Sequence, residues 1–241
     1  MHMEQNWSTA LETIKKHTFK ILSPNSSGTG FLLTKRAGDI CGIATAFHVI
    51  EHAYQWEEPI KLIHTESKEQ VILHQNERFI FPNANKDFAL ILFQRGSLKI
   101  ENEPPTLGPH DKSLKPGVQV GWAGYPVVAP NEFCFFTGNI SCFLEEVGSY
   151  LVDGVAINGV SGGPAFVAFE ESHPQVIGIV SAYIPNRAGG ETLPGVCFIT
   201  GVYPFHEFIK GIDSLEQARD KALESKNLVT QPASGENPVS G

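Results

Sequence analysis

Short β-rich runs separated by turn residues make up most of this 241-residue chain. A polar, proline-containing connection from Gln94 to Lys115 divides them into two sets of about six. The runs are 19–22, 29–34, 40–45, 60–64, 70–74, 79–81 and 88–93 in the first set, and 118–122, 133–144, 149–152, 164–169, 176–182 and 196–200 in the second. Closure of a sheet removes its exposed edges, so this pattern favours barrels or a sandwich. Two six-stranded antiparallel β-barrels joined by the connection are one such all-β solution.

The two ends of the chain have different sequence patterns from the β-rich part. Residues 4–17 have apolar side chains at spacings of four and three, which is typical of a short amphipathic helix. Residues 203–225 show a second helical pattern. Residues 227–241 are poor in apolar side chains, which predicts a disordered tail. We therefore expect an N-terminal helical extension over 1–17, a β domain with a closing helix over 18–226, and the tail.

The composition is that of a folded protein without a strongly basic surface. Hydrophobic residues make up 41% and charged residues 18%, which provides enough apolar surface for a core and too little charge for a disordered chain. The formal net charge is -8 and no run of Lys and Arg occurs, so neither nucleic acid nor a membrane is an expected partner. No apolar stretch approaches the ~18 residues that span a bilayer.

The N-terminal segment and the cysteines both favour a reducing compartment. The N-terminal segment is polar and lacks the apolar core of a secretory signal, so we expect a cytoplasmic protein. None of the four cysteines belongs to a CxxC pair, and we expect free buried thiols rather than disulfides or a zinc site. The cysteines are Cys41, Cys134, Cys142 and Cys197. No metal or other cofactor is expected.

Three short patterns carry residues suited to nucleophilic catalysis: TAFHV at 45–49, DFAL at 87–90 and GVSGGP at 159–164. A serine hydroxyl needs a base to take its proton, and histidine titrates in the right range. The imidazole needs a carboxylate to fix its tautomer, and the oxyanion needs preorganised donors such as backbone N–H groups. The N–H groups of Gly159 and Ser161 suit that last role. Each pattern alone is usually structural, but their order, His then Asp then Ser across the two strand sets, favours a shared site.

The same three patterns resemble the catalytic signatures of trypsin-like serine peptidases. The sequence GTGF at 28–31, ahead of the histidine motif, most resembles the corresponding strand of the bacterial HtrA-like branch. The resemblance covers roughly residues 18–210 and implies a chymotrypsin-like double β-barrel with the active site in the cleft. The two barrels that the resemblance implies comprise about residues 18–94 and about residues 115–202. The resemblance also implies no cofactor.

The resemblance assigns a role to each candidate residue. His48 becomes the general base, Asp87 the acid that orients it, and Ser161 the nucleophile. Gly159 and Ser161 become the oxyanion-hole donors through their backbone N–H groups. The substrate class that this implies is a protein or peptide.

The departures from secreted relatives are also informative. Val49 and Ile157 stand where those relatives have half-disulfides, which agrees with a reducing compartment. Val160 replaces the aspartate that secreted zymogens pair with a new N-terminus, so we do not expect that activation route. No PDZ-like domain is expected after the β domain. The sequence favours neither a monomer nor an oligomer, and it specifies no regulatory partner.

Specificity is inferred from the residues that match the family's primary pocket. Val155 matches the pocket floor and has no charge to pair with Lys or Arg. Ser181 and Tyr183 lie on the strand bordering the pocket, and Gly195 lies on the strand that forms its opposite wall. We expect cleavage after small or medium apolar residues, with each methylene contributing about 1–3 kcal/mol.

The leading interpretation is a serine endopeptidase that acts through an acyl-enzyme intermediate. A catalytically silent peptide-binding module of the same fold is the alternative. A third possibility is an α/β-hydrolase, because residues 159–163 also satisfy G-x-S-x-G. That fold needs alternating helices and strands with the acid and histidine after the serine, and only His173 and His206 follow Ser161 here.

Overall fold

The computed structural model describes residues 6–100, 103–168, 173–188 and 191–229, apart from the side chains of residues 182–195 and 224–229. The helices and strands in chain order are α1 (Trp7–Lys15), β1 (Thr18–Ser23), β2 (Ser26–Arg36), β3 (Ile40–Thr45), α2 (Phe47–Gln55), β4 (Ile60–His64), β5 (Gln70–Leu73), β6 (Arg78–Asn83), β7 (Phe88–Gln94), β8 (Thr106–Leu107), β9 (Gln119–Gly124), β10 (Cys134–Leu144), β11 (Ser149–Asp153), β12 (Pro164–Val167), β13 (Gln175–Ala188), β14 (Glu191–Gly201) and α3 (Tyr203–Val229). The expected all-β class with a helix near each end is confirmed.

The first sheet contains the strands before the polar connection. Its seven strands run in the order β5-β4-β1-β2-β3-β7-β6, and every neighbouring pair is antiparallel. The apolar runs of β3 and β7 pair with each other along nearly their whole length, and most of their residues are buried. The described pairings do not join β5 to β6, so this sheet is a curved half-barrel rather than a hydrogen-bonded ring.

The second sheet closes into a barrel. Six antiparallel strands follow the order β12-β9-β10-β11-β14-β13, and the ring closes because Pro164 on β12 pairs with Ile179 on β13. Trp122, Val152 and Ile199 are among the fully buried side chains that fill it. The two-residue strand β8 lies in the connection that the sequence predicted to be irregular, and it adds to β13 in parallel.

Helix α2 follows β3 directly, and the sequence analysis did not foresee it. Its buried residues are Phe47, Val49, Ile50 and Ala53, which recur at the three- and four-residue spacings of one helix face. The run is apolar enough to pass for an extension of β3, which is why the helix was missed. The helix matters because it places His48 near its N-terminus with the side chain half exposed.

Helix α1 packs on the second barrel. Asn6 caps its N-terminus by accepting a hydrogen bond from the Thr9 N–H at 3.2 Å. The Trp7 ring lies 5.4 Å from that of Phe135 and 5.9 Å from that of Phe166, measured between centroids. These aromatic contacts fix the helix against the barrel wall.

Residues 205–241 form a unit separate from 1–204. Helix α3 extends to Val229, four residues beyond its expected end at 225, because no Pro or Gly lies between Ser225 and Pro232 to end it earlier. Residues 227–229 of the expected tail are therefore helical, and residues 230–241 lie outside the described part of the chain. No helix in the described part is both long enough and apolar enough to cross a membrane.

All four cysteines are free thiols, as expected, but only two of them have the expected buried environment. Cys41 and Cys197 are buried, whereas Cys134 and Cys142 are half-buried. Burial raises the pKa of the Cys41 thiol to about 11 and that of Cys197 to about 12. Burial also raises the pKa of Cys134. Because the thiolate is the reactive form, the two buried thiols should be inert at neutral pH.

Iodoacetamide at pH 8 should therefore modify Cys142 well before Cys41 or Cys197 in the folded protein. Peptide mapping by mass spectrometry over a time course measures each site. The same treatment in concentrated urea should make all four sites react alike, because unfolding removes the burial. Alkylation of Cys197 at the Cys142 rate in native buffer would contradict this description of the core.

Candidate active site

His48 and Asp87 meet because β3 and β7 are neighbouring strands. Thr45 at the end of β3 pairs with Ala89 near the start of β7, so the residues just beyond these ends lie together. The His48 ring Nδ1 lies 2.7 Å from Asp87 Oδ2, and the His48 backbone N–H donates to Asp87 Oδ1 at 2.9 Å. A carboxylate only accepts, so the proton of the neutral ring lies on Nδ1. Nε2 is then left as a lone-pair acceptor.

Asp87 adopts a left-handed backbone conformation, with φ of 46°, that a non-glycine residue rarely takes. Its N–H donates to the Ala84 carbonyl at 3.2 Å, and the Lys86 N–H donates to the Asn83 side chain at 3.2 Å. These bonds close the turn that precedes β7. They hold both carboxylate oxygens toward His48 despite a conformational cost of roughly 1–2 kcal/mol.

The second barrel also holds this turn. Thr200 Oγ1 donates to the Lys86 carbonyl at 3.1 Å, and Lys86 Nζ donates to the Val147 carbonyl at 2.6 Å. Thr200 Oγ1 also lies 3.0 Å from Ser181 Oγ. Sequence reasoning missed Thr200 and Lys86, since a strand threonine and a surface lysine carry no local signal of such a role. Ser181 was expected to border a pocket, and it is buried within this network.

Ser161 lies in a tight turn between β11 and β12. The Val160 N–H donates to the Ile157 carbonyl at 3.1 Å, and the Gly163 N–H donates to the Val160 carbonyl at 2.8 Å. The Gly162 N–H donates to the Val180 carbonyl at 2.7 Å, which ties the turn to β13. The Ser161 side chain makes no hydrogen bond to the His48 ring among the described contacts.

The two N–H groups expected to form the oxyanion hole differ from the other N–H groups of this turn in their hydrogen bonding. Within the described residues, the N–H groups of Gly159 and Ser161 have no acceptor, whereas those of Val160, Gly162 and Gly163 do. The Asn158 carbonyl accepts from the Val127 N–H at 2.7 Å. Because the 158–159 peptide is trans, its Gly159 N–H points away from Val127.

Val160 packs in the core of the second barrel with its side chain fully buried. The sequence placed this valine where secreted relatives have a charged residue. A Cβ built on Gly124 would lie 3.1 Å from Val160, so the close fit depends on a glycine there. The turn is therefore held on its inner side by apolar packing.

Two glycines of the turn have left-handed backbones, Gly159 with φ of 93° and Gly162 with φ of 80°. A Cβ on Gly162 would collide with the Thr29 carbonyl and the Thr45 hydroxyl. A Cβ on Gly159 would collide with the Tyr125 carbonyl. Both positions thus need glycine for conformation and for space.

Replacing Gly162 with alanine should lower the free energy of unfolding by about 3 kcal/mol, through backbone strain plus overpacking. Gly38 is a matched control, because its φ is 73° and a Cβ there would meet nothing within 4 Å. Gly38→Ala should show the strain component alone, about 1–2 kcal/mol. Urea denaturation of both variants measures the difference, and equal losses would contradict the crowding at Gly162.

His48, Gly159 and Ser161 line one open cavity of about 560 Å³. The remaining lining residues come from the β1–β2 turn and from the two loops of the second barrel: Leu22, Ser23, Pro24, Asn25, Ser26, Ser27, Val127 and Asn158. The structure thus brings the expected base, nucleophile and donors to one cleft, with Asp87 behind the base. No cluster of three His, Cys, Asp or Glu side chains in the described residues is placed to hold a metal.

The residues expected to set specificity are only partly described. Val155 is 46% exposed and does not line the cavity that holds Ser161. Tyr183 lies on β13 and Gly195 on β14, within the stretch whose side chains lie outside the description. The roles expected for these three residues remain predictions.

The closed barrel, the partner sheet and the cleft between them define the chymotrypsin-like double-barrel fold. The crystal structure of Deg5 is similar, with a TM-score of 0.57 and 18% sequence identity over 73% of this chain and 83% of that chain. At that identity the similarity establishes the fold. No family model matches the sequence, and no curated protein matches it either.

Proposed function

We propose that this protein is a serine endopeptidase that cleaves proteins or peptides through an acyl-enzyme intermediate. One observation carries the proposal. The His48–Asp87 pair shares a cleft with Ser161 and with two N–H groups, those of Gly159 and Ser161, that have no acceptor among the described residues. These are the parts that acyl transfer needs.

The residues would act in sequence. Ser161 Oγ attacks the carbonyl carbon of the scissile bond while His48 Nε2 takes the hydroxyl proton. Asp87 stabilises the imidazolium through the Nδ1 contact of 2.7 Å. The Gly159 and Ser161 N–H groups hold the negative oxygen. His48 then gives its proton to the leaving amine, and a water molecule, activated by the same ring, hydrolyses the acyl-enzyme.

Strand β13 has room for an extended substrate beyond its pairing with β12. Strand β12 pairs with β13 only as far as Ile179, and the described pairings of β13 from Ala182 to Ala188 are with β14 alone. The other edge of this segment can pair with a peptide backbone. Preference for small or medium apolar residues before the scissile bond is part of the proposal, as are a cytoplasmic location and a relation to HtrA-like peptidases.

A fluorophosphonate probe tests the proposal directly. We expect mass spectrometry to find the label on Ser161 in the native protein and no label in His48→Ala. His52→Ala is a matched control. His52 lies one turn further along α2 and contacts Glu58 at the same 2.7 Å. Its Nε2 also lies 2.9 Å from Nδ2 of the cleft residue Asn25, which has no part in the proposed reaction, and His52 itself does not line the cleft. Labelling should persist in that variant. Folded protein that takes up no probe would overturn the proposal.

The alternative of a silent peptide-binding module is favoured by one observation, the lack of a described Ser161–His48 hydrogen bond. Catalytic hydrogen bonds are often long in the absence of substrate, so this geometry is also compatible with an active enzyme. The two functions separate when peptides that bind are incubated with the protein and analysed by mass spectrometry. Binding without any cleaved product would favour the module.

A further inference from the structure

Thr29 on β2 is fully buried, and all its polar atoms are bonded. Its N–H donates to the Ser161 carbonyl at 2.8 Å, and its carbonyl accepts from the Thr45 hydroxyl at 2.7 Å. Its own hydroxyl lies 3.0 Å from the Gly159 carbonyl and 3.1 Å from the Tyr125 backbone nitrogen. One residue of the first sheet thus contacts both residues that carry the unpaired N–H groups.

The Thr29 hydroxyl has one possible bonding pattern here. A carbonyl only accepts and an N–H only donates, so the hydroxyl donates to Gly159 and accepts from Tyr125. It therefore links the end of β9 to the nucleophile turn. No water or charged group is needed to complete the pattern.

The carbonyls from residue 158 to residue 161 are all bonded. The Asn158 carbonyl accepts from Val127, and the Val160 carbonyl accepts from Gly163. The remaining two, those of Gly159 and Ser161, accept from Thr29. Each peptide plane of the segment is thereby fixed in direction. Gly159 is the residue where such a plane rotates most easily, because glycine has no Cβ to restrict it.

We propose that the Thr29 hydroxyl is a positioning group that keeps the Gly159 and Ser161 N–H groups directed into the cleft. It acts by holding the Gly159 carbonyl and thereby the 159–160 peptide plane, which lies between the two planes that carry those N–H groups. This inference rests on the proposed peptidase function and specifies how its oxyanion site is held. Val160 is apolar and buried, so no charge on this residue anchors the turn from within. A neutral hydroxyl needs neither a chain cleavage nor a particular pH, and the site is formed as soon as the chain is folded.

Thr29→Val tests the proposal, because valine keeps the shape and loses the hydroxyl. We expect kcat for a peptide substrate to fall about 10²-fold, the typical cost of misplacing a catalytic group by about 1 Å, while KM changes little. The rate of fluorophosphonate labelling should fall in parallel. Thr29→Ser keeps the hydroxyl and should restore most of both rates. Thr29→Ala repeats the comparison if the valine variant does not fold.

Thr18→Val is the matched control. Thr18 is also a fully buried strand threonine, and its hydroxyl donates to the Ile14 carbonyl at 2.8 Å, away from the cleft. It should lose thermal stability to a similar extent and keep the wild-type kcat. A folded Thr29→Val protein with wild-type kcat and labelling rate would overturn the proposal.

A measurement that does not require activity separates this inference from the proposed function. In ¹⁵N-labelled protein, the amide resonances of Gly159 and Val160 should shift or broaden in Thr29→Val and remain at their native positions in Thr18→Val. Unchanged resonances in Thr29→Val would overturn the inference even in an active enzyme. A wild-type protein that is never labelled by the probe would contradict the peptidase function. The comparison of amide resonances would then still test whether the Thr29 hydroxyl positions the turn.

Discussion

Replacing Ser161 with alanine should reduce kcat for peptide hydrolysis about 10⁶-fold, because the covalent route is then closed. His48→Ala should cause a loss of similar size, since the hydroxyl without its base is a poor nucleophile. The double variant should lose nothing further, because the two residues act in the same step. A chromogenic peptide assay of highly purified protein measures all three. Losses that multiply in the double variant would contradict a shared mechanism.

Asp87→Asn should lower kcat about 10⁴-fold with little loss of stability. Asp87 accepts from both the backbone N–H and the ring Nδ1 of His48. An asparagine has one oxygen and one NH₂ group, so one of these two donors would face another donor. The ring then favours the tautomer with its proton on Nε2, where it cannot accept from Ser161.

Asp39→Asn is the control for this substitution. Asp39 also has a left-handed backbone, with φ of 64°, and its carboxylate contacts Arg95 at 3.0 Å at the other end of the same strand pair. Its loss should leave kcat unchanged. A similar decrease in both variants would mean that charge in general, rather than the contact with His48, supports the activity.

The sequence predicted the fold class and the grouping of His48, Asp87 and Ser161 because both depend on local patterns. Short apolar runs mark strands, and the three motifs lie directly after or before such runs. Their order along the chain, together with the resemblance, predicted a shared site; the structure has His48 and Ser161 lining one cleft and Asp87 in contact with His48.

The residues that hold the catalytic groups in position could not be predicted from the sequence. Thr29 and Thr200 have the sequence pattern of ordinary strand residues, because their hydrogen-bond partners, Gly159 and Lys86, lie far away in the chain. Helix α2 was missed because helix and strand cannot be told apart in a short apolar run. The open edge between β5 and β6 depends on strand order, which hydrophobic patterning does not encode.

The dependence of the nucleophile turn on Thr29 also has a consequence for how the protein is made. All strands of the first sheet, together with His48 and Asp87, precede Ser161 in the chain and are therefore synthesised first. The turn needs Thr29 from that sheet and also the Val180 carbonyl, which comes later in the chain. In the proposed peptidase, the nucleophile turn can therefore be completed only after the strand that carries Val180 has been synthesised, so the site is assembled late in translation.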